Sequence, residues 1–135
     1  MEFDPISKQV LTAAMQVHSV LGPGLFAEVY KVCLRHELTK AGLKVLSEVG
    51  LPVTYDGATL DVDYRIDLLV EDVLIVELKS VEQLAPVHKA QLLTYLKLAR
   101  RDVGLLLNFN TPHLRHGIVR VVNSLPPSRP SRPSR

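Results

Sequence analysis

Two carboxylates and a lysine interrupt a pair of apolar runs. Within "YRIDLLVEDVLIVELKS", residues 64–80, Asp67 lies between Ile66 and Leu68-Leu69-Val70. Glu77 and Lys79 break up Val73-Leu74-Ile75-Val76 and Leu78. Residues two apart in a strand share a face, so Glu77 and Lys79 point one way and Val76 and Leu78 the other. A carboxylate on a buried face is costly unless it is paired, hydrogen-bonded or metal-bound. The strand alone leaves two uses open: a Glu77–Lys79 ion pair on an exposed sheet face, or a site that binds a cation.

The turn after Val70 decides whether Asp67 belongs to that site. A strict two-residue loop, Glu71-Asp72, pairs Val70 with Val73 and sends Asp67 to the face opposite Glu77. A three-residue loop, Glu71-Asp72-Val73, pairs Val70 with Leu74 and sets Asp67 directly across from Glu77. Cross-strand neighbours on one face have Cβ atoms about 4.5–5.5 Å apart. Two carboxylates at that spacing repel unless a cation lies between them. A site therefore requires the odd loop or a bulge, with Asp72 a tolerable residue at a left-handed position.

The next segment, "PVHKAQLLTYLKLARR", carries His88, Gln91 and Tyr95 along one polar stripe of an otherwise apolar helix. Gln91 and Tyr95 form an i, i+4 pair and can present their side chains together. Leu92, Leu93 and Leu96 supply the core face. Taken alone, such a pair also fits a packed, hydrogen-bonded helix edge.

Other segments must position these residues. Ile6, Val10, Leu11, Ala14, Val17 and Leu21 fall at helical spacing behind Asp4-Pro5, a fitting N-cap and first-turn pair. "GPG" at 22–24 breaks that helix, and a second runs from about Leu25 to Lys40. Strands are expected at about 43–49, 51–55, 60–70 and 73–80, with Asp56-Gly57 a hairpin turn. A third helix fits Pro86 to Arg101, then a strand at 103–109, then a short amphipathic helix from Leu114 to Asn123. The order ααββββαβα predicts an α/β sandwich, a mixed central sheet with helices on both faces.

At 135 residues, 47% hydrophobic and 22% charged, the chain has the composition of a globular protein. Its length predicts a single domain over 1–123 and leaves a Pro/Ser/Arg-rich tail at 124–135, expected to be disordered. The net charge of +2 falls to −1 once Arg129, Arg132 and Arg135 of that tail are set aside. Bulk composition thus shows no basic nucleic-acid platform, and any such contact needs a local patch. No apolar run suits a membrane span, the first residues lack a signal-peptide pattern, and the single cysteine, Cys33, suits a reducing cytoplasm. His18, His36, His113 and His116 show no metal-ligand spacing, and "GPG" lacks the Lys-Ser/Thr of a phosphate loop. Asn108, Asn110 and His113 end a strand, where turn-forming and capping roles suit them.

Asp67, then Glu77-Leu78-Lys79, then Gln91-x-x-x-Tyr95 resembles the PD-(D/E)XK nuclease superfamily, with the Q-x-x-x-Y of its exonuclease-like branch. More closely, the chain resembles the small bacterial GxxExxY proteins, from "VHSVLGPGLF" through the 64–98 region to "VGLLLNFNTPHLRHGI". The resemblance implies a restriction-endonuclease-like core and a Mg²⁺- or Mn²⁺-dependent nuclease. It implies metal ligation by Asp67, Glu77 and the backbone carbonyl of Leu78. Lys79 would orient or deprotonate water or hold the phosphate, Gln91 would position water or phosphate, and Tyr95 would pack against the backbone. The implied partner is nucleic acid, DNA ranked ahead of RNA. The domain's small size adds a homodimer or a protein partner, and no membrane is expected.

"GLFAEVY" keeps Gly24 and Tyr30 of the family motif but places Ala27 where the glutamate belongs, with Glu28 one position late. Glu28 can swing in or simply pair with Lys31. The competing class is therefore a catalytically weak or inactive protein on the same fold, acting as a nucleic-acid-binding or assembly module. A third reading is a structural domain whose charges only form ion pairs.

Overall fold

The computed structural model describes residues 3–124. Helix α1 (Pro5–Leu21) starts at Asp4, whose Oδ1 accepts the Ser7 amide and whose Oδ2 accepts the Ser7 hydroxyl, both at 2.9 Å. These bonds outweigh the opposing effect of burial and hold the Asp4 carboxyl below its ordinary range. The helix stops at Gly22, where φ is 69°. Helix α2 (Ala27–Lys40) follows. Next come strands β1 (Val45–Gly50), β2 (Val53–Tyr55), β3 (Ala58–Leu60), β4 (Arg65–Val70) and β5 (Leu74–Lys79). Helix α3 (Pro86–Ala99), strand β6 (Val103–Asn108), a 3-10 turn at Leu114–Gly117 and strand β7 (Ile118–Val122) complete the described fold.

Five strands form one sheet in the order β1-β4-β5-β6-β7. Only β5 and β6 run parallel, because α3 crosses between them; the other neighbours are antiparallel. Helices α1 and α2 cover one face, where Val10, Ala14, Leu34 and Leu38 pack with Leu68, Val76 and Leu105. Helix α3 covers the other, with Leu92 and Leu96 against Leu69, Ile75 and Leu106. This is the α/β architecture expected, a mixed sheet between helical layers and consistent with a restriction-endonuclease-like core. Strands β2 and β3 stand apart as a hairpin, turning on Asp56 and Gly57 with φ of 54° and 76° as that dipeptide suggests.

The element order differs from expectation in two places and reads ααβββββαββ. Residues 60–70 do not form one strand: Leu60 ends the hairpin, and the exposed stretch 61–64 separates it from β4. The terminal helix expected over Leu114–Asn123 is a 3-10 turn and a strand. Its Ile118-Val119-Arg120-Val121-Val122 is dominated by β-branched side chains, stiff at χ1 and suited to a pleated surface. It pairs with β6 from Leu107–Ile118 to Val103–Val122. The segment 125–135 of the expected tail lies outside the described residues.

Gly117 lets the 3-10 turn press against β6, for a Cβ there would sit 2.2 Å from the Asn108 carbonyl oxygen. Backbone must move to accept it. Gly117→Ala is expected to lower stability by about 1–3 kcal/mol in thermal or urea unfolding, and an unchanged midpoint would refute the close approach.

Candidate active site

The turn between β4 and β5 has the odd count the site requires. Glu71 and Asp72 are left-handed, with φ of 52° and 59°, and the Val73 amide donates to the Val70 carbonyl at 3.1 Å. These non-glycine residues are held from outside: Glu71 receives the Lys44 amide on Oε2 at 2.6 Å and donates its own amide to the Lys44 carbonyl at 2.8 Å. Asp72 is bound by Arg101 through both its carbonyl and its carboxylate. The resulting register, Val70–Leu74, Leu69–Ile75 and Leu68–Val76, carries forward to Asp67 opposite Glu77.

Past Leu68–Val76, side chains replace the backbone ladder between the two strands. The Asp67 amide donates to Glu77 Oε2 at 2.7 Å, and the Leu78 amide donates to Asp67 Oδ2 at 2.9 Å. Each carboxylate is thereby fixed through one oxygen, leaving the other for a further partner. Glu77 is only 6% exposed, which rules out the reading in which it pairs with Lys79 on an open face. Burial first, and the facing Asp67 second, push Glu77 up to about 8, with Lys79 and Lys31 offsetting only part of this. Burial also raises Asp67, against the Leu78 hydrogen bond and the two lysines. The pair is thus short of positive charge at neutral pH, and must take up a proton or a cation. Its all-oxygen donors fit a hard divalent ion. Among the described residues no three His, Cys, Asp or Glu side chains form a preformed metal cage, so backbone carbonyl and water would supply remaining ligands.

Lys79 is half-buried at the end of β5, near enough for its charge to act on both carboxylates, and makes no ion pair within 4.0 Å among the described residues. Its carbonyl accepts the Phe109 amide at 2.9 Å. Asn108 clamps the following segment, donating to the Val81 carbonyl at 2.9 Å and accepting the Val81 amide at 3.1 Å. From the α3 side, Tyr95 is buried, its phenol pushed up by burial and by Glu77, with Tyr64 tilted against it at 6.2 Å. Gln91 is half-buried one turn earlier on α3 but exchanges no hydrogen bond with the strand residues. His88 lies off the site: its Nδ1 accepts the Ala85 amide at 3.0 Å and caps the helix start. The fold therefore gathers Asp67, Glu77, Leu78, Lys79 and Tyr95, and leaves Gln91 beside them.

Two further charged residues enter from the other face. Lys31 of α2 is 7% exposed, bonds to Glu28 at 2.8 Å and to Glu48, and lies 3.9 Å from Asp67 Oδ1. Burial pulls the Lys31 ammonium down, but its bonds to Glu28 and Glu48 and the charge of Asp67 outweigh that and leave it raised. Lys31 had a legible signal, since it falls at helical spacing with Leu34 and Leu38 on a buried stripe. Glu48 had none. Ala27 is half-buried at the first turn of α2, and Glu28 pairs with Lys31 instead of reaching the strands.

A family model described as the PD-(D/E)XK nuclease superfamily matches residues 4–121. No curated protein and no solved structure matches the chain. Among the described residues no helix is long and apolar enough to cross a membrane.

Proposed function

Since the chain belongs to the PD-(D/E)XK nuclease superfamily, we propose that it is a metal-dependent nuclease hydrolysing phosphodiester bonds at Asp67, Glu77 and Lys79. One observation carries this reading: buried Glu77 and half-buried Asp67 face each other, each fixed through one oxygen by a backbone amide, with a lysine two residues further along the strand. Asp67, Glu77 and the Leu78 carbonyl, on the same strand edge as the Leu78 amide, would hold Mg²⁺ or Mn²⁺. When bound, such an ion lowers the pKa of water and offsets charge developing on phosphate oxygens. Lys79, without an ion pair among the described residues, orients or deprotonates the attacking water or holds the phosphate. Gln91 positions water or phosphate, and Tyr95 packs behind Glu77. DNA ranks ahead of RNA as substrate, a second copy or protein partner would extend the surface that holds it, and the cytoplasm is the compartment. Gly24, Tyr30 and the run to Gly117 support a place among the GxxExxY proteins.

A second reading, a catalytically weak or inactive binding or assembly module, is favoured by Ala27 and by the Lys31 ammonium beside Asp67. Cleavage assays on single-stranded and duplex DNA and RNA, with and without Mg²⁺ or Mn²⁺, separate the two. The nuclease reading expects metal-dependent hydrolysis that falls on the order of a hundredfold or more in folded Asp67→Ala and Lys79→Ala. Equal activity in both variants removes the assignment, and no hydrolysis by wild type favours the module.

A further inference from the structure

Strand β1 flanks β4 on the side away from β5, so Asp67 has a neighbour on each side. Ser47 pairs with Leu68 and Val49 with Ile66, which sets Glu48 across from Asp67, as Glu77 is from the other side. Three acidic residues therefore stand in one row over β1, β4 and β5. Glu48 sits at φ 54° in the middle of a strand, a left-handed conformation that costs a non-glycine residue free energy. Its side chain is 46% exposed, yet its carboxylate is tethered to the site. It bonds the Lys31 ammonium, which also lies 3.9 Å from the Asp67 oxygen left free by Leu78. A positive charge, largely removed from water, thus already occupies the space between the Glu48 and Asp67 carboxylates.

Resting on the nuclease reading above, we infer that Glu48 is a third carboxylate ligand of the Asp67–Glu77 metal site, and that Lys31 stands in for the cation until the metal displaces it. An ammonium and a divalent ion compete for the same oxygens, so both cannot sit between Glu48 and Asp67. Glu28 also bonds this ammonium, at 2.8 Å, but from α2 and with its side chain 69% exposed, outside the row of three carboxylates. The stand-in also accounts for the lack of a preformed cage: the third carboxylate is held by Lys31 rather than turned onto the pair.

The test is Mn²⁺ uptake by the full chain, followed by calorimetry and by the rise in melting temperature, for wild type, Glu77→Gln, Glu48→Gln, Glu28→Gln and Lys31→Met. Glu48→Gln is expected to weaken binding on the order of tenfold or more, and Glu28→Gln to stay within about twofold, as an exposed charge is screened. A general field effect would weaken both alike and overturns the ligand assignment. Lys31→Met is expected to bind Mn²⁺ more tightly than wild type; equal or weaker binding overturns the stand-in role, and this arm decides if Glu48→Gln fails to fold. Wild type that takes up no Mn²⁺ removes the nuclease reading and this inference together. Uptake that is lost in Glu77→Gln but unchanged in Glu48→Gln removes only the inference.

Discussion

Glu77→Gln is expected to abolish metal-dependent hydrolysis while making the metal-free protein more stable at mildly alkaline pH. The amide keeps the shape of the side chain and still offers an oxygen to the Asp67 amide, which Glu77 accepts at 2.7 Å. It removes the charge that burial and Asp67 oppose. Glu77 is raised from 4.5 to about 8 in the folded chain, so between those values the folded state holds a proton that the unfolded state has released. Stability must then fall as pH rises through that window, by at most about 1.4 kcal/mol per pH unit for one proton. Below 4.5 the group is protonated in both states and contributes no slope; above about 8 it is ionised in both and the penalty is complete. Urea titrations across that range should show the decline in wild type and a flatter profile in Glu77→Gln. Metal affinity should rise towards pH 8 in wild type, because the cation needs the ionised pair. Loss of a carboxylate ligand should cost at least about a thousandfold in hydrolysis. A wild-type stability profile with no decline over this window would show that Glu77 titrates as an ordinary carboxylate, and the charge-deficient site would be wrong.

Strand parity and turn count made most of this site legible. Asp67 and Glu77 announce themselves as charges inside apolar runs, and Glu71-Asp72-Val73 is the one loop that brings them to the same face. What parity cannot show is where a ladder stops. The strands hand their hydrogen bonds to the two carboxylates just beyond Leu68–Val76, a choice made in three dimensions. Glu48 was invisible for a related reason, because its left-handed backbone cannot be read from Ser47-Glu48-Val49. Ile118–Val122 was misread because one short segment can satisfy both helical amphipathicity and strand alternation. Its β-branched content, and the free edge of β6, decided for the strand. The Asp56-Gly57 turn was legible because those residues tolerate positive φ almost regardless of surroundings.

Tyr30→Ala is expected to destabilise the domain by about 3–5 kcal/mol, the largest stability loss predicted for a single side chain here. Tyr30 is fully buried and stacks on Phe109 with ring centroids 4.5 Å apart and planes 16° apart. Its hydroxyl donates to the Gly22 carbonyl at 2.5 Å and accepts the Leu25 amide at 3.1 Å. One residue therefore fixes the α1–α2 connection, the start of α2 and the end of β6 together. The effect reaches the site, because Lys31 is the next residue, Phe109 donates its amide to the Lys79 carbonyl, and the Leu25 carbonyl accepts the Ser80 hydroxyl. Alanine leaves a cavity beside Phe109 and frees the two backbone groups at once. Tyr30→Phe keeps the ring and loses only the hydroxyl, so it should cost about 1–3 kcal/mol. Domains of this kind are stable by only about 5–15 kcal/mol, so urea unfolding should show the alanine variant near the edge of folding and the phenylalanine variant well within it. If the two variants unfold at the same urea concentration, the stacking on Phe109 contributes nothing and the hydroxyl alone anchors the loop. A clear gap between them assigns most of the stabilisation to the ring, and the hydroxyl then serves to hold Gly22 and Leu25 where the site's outer wall begins.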